Sequence, residues 1–204
     1  MYISTIPKII RKFYPKSALW EVKTNKKEVF LTFDDGPIPE ATPLVLNLLN
    51  KYKATATFFM VGENAAKYPI LVKKVLAEGH AIGNHSFNHI KGWKTADNEY
   101  YANIEKASRF INSNLFRPPY GQLKLKQAKF LDKTYKIVMW TVLSGDYDKK
   151  TSAIRCFKRV KNHSKNGSII VFHDSLKAQK NMLFALEESL KYFISEGYSF
   201  GKLV

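Results

Sequence analysis

Two adjacent carboxylates, Asp34 and Asp35, end the apolar run in EVFLTFDDGPIPEATPLV (28–45), and Gly36 and Pro37 follow at once. Two histidines four residues apart, His85 and His89, stand in GNHSFNH. In a helical turn, residues at i and i+4 share a side with Cβ atoms about 5–6 Å apart, close enough for two imidazoles to hold one metal ion. A carboxylate from another strand end completes a facial triad, and either Asp34 or Asp35 can supply it. Successive strand side chains face opposite ways, so both acids enter one site only if the chain turns beside them. Gly36 and Pro37 supply that turn.

The acid left free of the metal lies within reach of a water whose pKa the metal lowers to about 7, and can take its proton. His173, closing SIIVFH, titrates in the range needed to protonate a leaving group. Asp146, in SGDYD, is available to raise its pKa and fix its orientation. Arg117, in RPPYG, can pair with the free aspartate and hold it ionised. Backbone N–H groups around Tyr120 and Gly121 can help stabilise an oxyanion. Together these residues compose a metal-dependent hydrolase of an acyl group.

The elements that must position them alternate between short β-rich runs and longer helical patterns. Strands are expected at 28–33, 55–61, 80–84, 114–117, 136–142, 168–173 and, weakly, 198–204. Helical patterns lie between them, at 41–52, 68–79, 97–113, 123–135, 151–163 and 181–197. The first of these places Leu44, Leu48 and Leu49 on one face. The last carries Met182, Leu183, Leu186, Leu190, Phe193 and Ile194 as a stripe facing the core. The alternation predicts an α/β fold with a mostly parallel sheet, barrel-like or open, and in either form the site belongs at the carboxyl ends of the strands. Asp34, Asp35, His85, His89, Arg117, Asp146 and His173 all fall on that rim.

At 204 residues, with 45% hydrophobic and 25% charged residues, the chain suits one folded domain. The lone cysteine, Cys156, excludes an intrachain disulfide and sits among apolar residues as a small buried side chain. The net charge of +16 comes mainly from scattered lysines, with only five arginines. That makes a diffuse positive field rather than bidentate phosphate recognition, so no nucleic-acid partner is expected. Such a field suits a phospholipid surface or an acidic wall polymer. Residues 1–26 form a basic amphipathic segment, with Ile3, Ile6, Ile9, Ile10 and Phe13 at helical spacing, packed on or leading into a single domain at 27–204. Neither a secretory signal nor a membrane-spanning run of about 20 apolar residues is seen. A cytoplasmic or membrane-peripheral monomer is the expectation.

In order along the chain, TFDDGP (32–37), HSFNH (85–89), RPPYG (117–121), WTVLSGDY (140–147) and VFH (171–173) resemble the signature motifs of the polysaccharide deacetylases, the NodB-homology domain of carbohydrate esterase family 4. The resemblance covers the chain from about Lys27 to its end. It implies Asp34 as base, with Asp35, His85 and His89 as metal ligands. It also implies Arg117 orienting the base, and His173 as acid with Asp146 as its partner. Substrate contacts are implied for Pro119, Tyr120, Gly121, Trp140, Tyr147 and Val171.

The implied fold is a distorted (β/α) barrel of about seven mostly parallel strands. The implied metal is zinc, with cobalt, nickel or manganese as alternatives. The implied reaction removes N-acetyl groups from N-acetylglucosamine-containing glycans such as peptidoglycan, a chitin-like polymer or a precursor. O-acetyl ester hydrolysis of the xylan type, or a catalytically idle glycan- or membrane-binding role, are the alternatives. The chain departs from the family pattern at Leu143, where many members have Asp, at Tyr147, where they have Trp, and at Val171, where Leu is common.

Overall fold

In the computed structural model, which describes Arg11 and residues 14–204, EVFLTF becomes β1 (Glu28–Asp34), an interior strand of a parallel sheet. The Ile3, Ile6, Ile9, Ile10 and Phe13 stripe lies outside the described residues. The other strands are β2 (Thr57–Met60), β3 (Ala81–Asn84), β4 (Leu115–Phe116), β5 (Lys136–Ile137), β6 (Val142–Leu143), β7 (Ile169–His173) and β8 (Ser199–Gly201). They run β5-β4-β3-β2-β1-β7-β6, all pairings parallel, with β8 paired to the start of β1. Seven parallel strands thus curl into a half-barrel, the predicted α/β architecture, with helices packed outside.

Burial on both faces explains why β1 reads as a nearly continuous apolar run rather than a clean alternation. Val29, Leu31 and Phe33 pack under the helices, in one core cluster with Val45, Leu46, Leu49, Met182, Leu186 and Phe193. Phe30 points the other way, into a barrel interior shared with Phe59, Leu115, Val138, Ile169 and Leu203. Strand periodicity therefore sends Thr32 and Asp34 inward as well. On β7 the same alternation buries Ile170 and Phe172 under the helices and leaves Ile169, Val171 and His173 on the inner side.

The helices are α1 (Thr42–Lys51), α2 (Gly62–Lys67), α3 (Pro69–Ala77), α4 (Asp97–Ser108), α5 (Leu125–Leu131), α6 (Ala153–His163) and α7 (Gln179–Ser195). α2 was not expected from the sequence. α1 buries Thr42, Val45, Leu46 and Leu49 and leaves Leu44 39% exposed, so the predicted face is rotated. On α7 the stripe holds except at Ile194, which is 46% exposed. Cys156 is fully buried on α6.

The predicted single strand 136–142 is in fact two, β5 and β6. Between them the chain crosses from one barrel edge to the other. Val138 N–H donates to Phe116 O, Met139 N–H to Leu19 O and Thr141 N–H to Ile169 O. The segment around Trp20 stitches this crossing from outside. Leu19 pairs with Val138 and Glu21 with Ser168, and Thr141 Oγ1 donates to Trp20 O at 2.9 Å. A run that serves two edges in turn cannot stay one strand.

Candidate active site

Asp34 ends β1 on the inner face, where Arg117 meets it. Arg117 Nη1 donates to Asp34 Oδ1 at 2.7 Å and to Thr32 Oγ1 at 2.8 Å, two residues apart on one face of the strand. Its Nε and Nη2 donate to the carbonyls of Val138 and Met139, and its guanidinium lies 4.0 Å from the Phe59 ring centroid. Burial pushes the Arg117 pKa down, against the pull of Asp34. A buried guanidinium demands this many partners, because every donor left unpaired costs its full desolvation.

Had β1 continued, Asp35 would face the helices. Instead it takes a left-handed conformation (φ 84°) that swings its carboxylate back over the rim. The turn begins at Asp35 itself, one residue earlier than Gly36 and Pro37 predict. Gly36 is required by a close approach: a Cβ there would sit 2.0 Å from Asp174 Oδ2. Asp174 accepts from Gly36 N–H at 3.1 Å and from Thr42 Oγ1 at 2.6 Å, and Asn64 Nδ2 donates to Asp35 O at 2.8 Å.

His85 and His89 converge as their spacing suggests, but not on a helical turn. Residues 85–90 form a loop in which Ser86 (φ 61°) and His89 (φ 55°) are left-handed, and the two rings stand 5.0 Å apart. Donor atoms of Asp35, His85 and His89 all lie within 4.8 Å of one another. His89 Nε2 is 3.2 Å and His85 Nε2 4.0 Å from Asp35 Oδ1. His85 Nδ1 donates to Arg117 O at 2.7 Å, which leaves the Nε2 lone pair aimed at the cluster. Burial pushes the His85 pKa down to about 4, so the ring is neutral, as a ligand must be. Burial raises the Asp35 pKa, but the hydrogen bond with His89 and the charge of His173 outweigh it and hold the carboxyl well below its usual range. Two neutral imidazole nitrogens and one carboxylate oxygen fit a borderline divalent cation such as zinc.

Across the cleft, Asp146 grips His173 twice. His173 N–H donates to Oδ2 and Nδ1 to Oδ1, each at 2.8 Å. Burial disfavours the imidazolium, yet Asp146 overcomes it, by charge and by hydrogen bond, and the His173 pKa is pushed up to about 9. Asn181 Nδ2 donates to Asp146 O from α7.

Asp34, Asp35, His85, His89 and His173 line one cleft of about 580 Å³ with Pro118, Tyr120, Gly121, Trp140, Leu143, Tyr147 and Val171, while Arg117 and Asp146 are fully buried outside its wall. Of the predicted contact residues, Pro119 alone is absent from the wall; it is buried behind Pro118. Gly121 lines the wall at φ 67°, but its N–H is used on Pro118 O at 2.9 Å and is not free for an oxyanion. The Tyr120 N–H has no hydrogen-bond partner among the described residues. Thr32, Asn64 and Asp174 escaped the sequence reading. Only Asp174 left a signal, as a second polar residue at the strand end that carries His173.

A family model described as "Polysaccharide deacetylase" matches residues 21–137. A peptidoglycan-N-acetylglucosamine deacetylase of Bacillus cereus is 37% identical over 190 residues, covering 89% of this chain and 88% of the relative. A chitooligosaccharide deacetylase of Azorhizobium caulinodans is 31% identical over 161 residues, covering 75% and 76%. Among solved structures, the Bc1960 peptidoglycan N-acetylglucosamine deacetylase in complex with a naphthalenyl N-oxidanyl-benzamide superposes with a TM-score of 0.89. It is 33% identical, covering 97% of this chain and 95% of that one.

Proposed function

The chain belongs to the polysaccharide deacetylase family, and from that premise we propose that it is a zinc-dependent hydrolase removing N-acetyl groups from N-acetylglucosamine-containing glycans. The observation that carries the reading is the meeting of three units on one rim. They are the Asp35–His85–His89 cluster, the Asp34–Arg117 pair and the His173–Asp146 pair.

Asp35, His85 and His89 would hold the ion. A divalent cation there supplies Lewis acidity, polarising a carbonyl oxygen and acidifying water. Asp34, fixed by Arg117, takes a proton as the water oxygen bonds to the acetyl carbon. The free Tyr120 N–H offers a donor at the cleft wall to the oxyanion that forms. His173, charged through Asp146, delivers a proton to the amide nitrogen as the C–N bond breaks, leaving acetate and a free amine. Trp140, Leu143 and Val171 give the acetyl methyl an apolar wall. Leu143 and Val171, two of the departures from the family pattern, are in this wall rather than among the ligands, base or acid.

Acetate release from N-acetylglucosamine oligomers, peptidoglycan and acetylated xylan, with and without added zinc, tests the proposal. Release from the N-acetylated substrates that disappears on chelation supports it. Release from xylan alone makes the protein an O-acetyl esterase, and no release from any substrate refutes the enzyme.

A further inference from the structure

Each of the two tyrosines that flank the cleft joins a site histidine to a lysine. Tyr120 packs edge-on to His89, ring centroids 4.6 Å apart, and Lys91 Nζ sits 4.7 Å from its centroid. Tyr147 packs edge-on to His173 at 4.7 Å, and Lys177 Nζ sits 5.7 Å from its centroid. His89 follows β3 and His173 ends β7, and these strands lie on opposite sides of β1 in the sheet. Lys177 lines the cleft and Lys91 stands behind the cleft-wall residue Tyr120, so the two ammonium groups lie on opposite sides of the row of catalytic groups.

Both lysines are without a carboxylate partner among the described residues, and cation–π attraction to the tyrosines favours their position. The other charges of the cleft largely cancel. Arg117 pairs with Asp34, Asp146 with His173, and Asp35 lies with His85 and His89 in the cluster that would hold a divalent cation. Glu63 is the remaining acid in the wall, and Asn88 Nδ2 donates to it at 3.2 Å. Lys177 also precedes α7, whose first turn carries no acid, so the positive end of the helix dipole adds to its field. An uncharged glycan has no use for unpaired ammonium groups on both sides of the reacting sugar.

We propose that Lys91 and Lys177 select glycans that carry an oxyanion, a carboxylate or a phosphate, on the sugars flanking the one deacetylated. The inference rests on the deacetylase reading and adds the charge of the substrate to it. Three tetrasaccharides test it: neutral N-acetylglucosamine, N-acetylglucosamine alternating with N-acetylmuramic acid, and N-acetylglucosamine bearing a 6-phosphate. For the native protein and the Lys91→Gln/Lys177→Gln variant, kcat/KM and equilibrium binding are measured at low and high salt.

At low salt the native protein prefers one or both anionic tetramers by roughly three- to tenfold, the scale of one or two exposed charge pairs. The preference falls towards one in the double variant and in high salt. The two anionic arms tell carboxylate from phosphate. A native ratio of one, or an equal loss for all three tetramers in the variant, overturns the inference. Turnover of the neutral tetramer with a ratio of one leaves the deacetylase reading standing. With no turnover of any tetramer that reading fails, and the binding ratios still decide the role of the lysines.

Discussion

Arg117 and Asp34 are paired inside the barrel, Nη1 to Oδ1 at 2.7 Å, with side-chain exposures of 0% and 7%. The same guanidinium satisfies the carbonyls of Val138 and Met139, so one residue holds the proposed base and the crossing between β5 and β6. Arg117→Met removes the cation paired with the buried Asp34 carboxylate and orphans two carbonyls. A loss of about 3–5 kcal/mol is expected in chemical denaturation, the scale for breaking a buried ion pair from one side. Arg117→Lys restores the charge but not the planar fork, so it recovers only part of that loss.

The roles proposed for Asp34 and Asp35 differ, and the difference is measurable. Asp35→Asn weakens zinc affinity tenfold or more, the order seen when a metal site loses support, and activity falls with it. Asp34→Asn leaves zinc affinity near native and abolishes turnover. Equal loss of metal in both variants, by calorimetric titration, refutes the assignment.

In the metal-free protein the His173 pKa stands near 9 because of Asp146. Asp146→Asn removes that charge, so the imidazole titration followed by NMR moves down towards about 6.5, the ordinary histidine value. The native pKa is raised on folding. Its contribution to stability is therefore complete below about pH 6.5 and is lost as pH rises through about 9. Thermal unfolding of the metal-free protein should show this decline, and Asp146→Asn should lack it.

Asp174 titrates in an unusual direction. Burial pushes its pKa up to about 8, although Thr42 and the Gly36 N–H stabilise its charged form. Here too the folded value exceeds the unfolded one, about 3.9. Its contribution is greatest below the unfolded value and is lost as pH rises through about 8. Asn cannot ionise, so the stability of Asp174→Asn relative to native rises steadily between pH 4 and 8. A pH-independent difference in melting temperature between the two proteins contradicts this.

The strand ends were legible because chemistry and secondary structure share a boundary. EVFLTF and SIIVFH are apolar runs that stop where polar side chains begin, and those side chains are Asp34, Asp35 and His173. The histidine pair was legible from its spacing together with the carboxylates at another strand end, but its backbone was not. Two left-handed residues, Ser86 and His89, shape that loop, and neither is a glycine whose presence would announce them. The break in 136–142 was hidden because KIVMWTV has uniform β propensity, and only the separate partners of Val138, Met139 and Thr141 divide it.

The sequence by itself determined which candidate residues gather on one rim, because strand periodicity and local turn residues act over short distances along the chain. The resemblance implied separate roles for the two acids, and only the tertiary structure gave them the different surroundings those roles need. Asp34 and Asp35 are the same residue type at neighbouring positions. What distinguishes them is Arg117 buried against the first and two imidazoles gathered around the second. Those partners come from 83 residues away for Asp34, and from a loop two strands across the sheet for Asp35. Such contacts form only when the sheet curls, so pattern along the chain does not contain them.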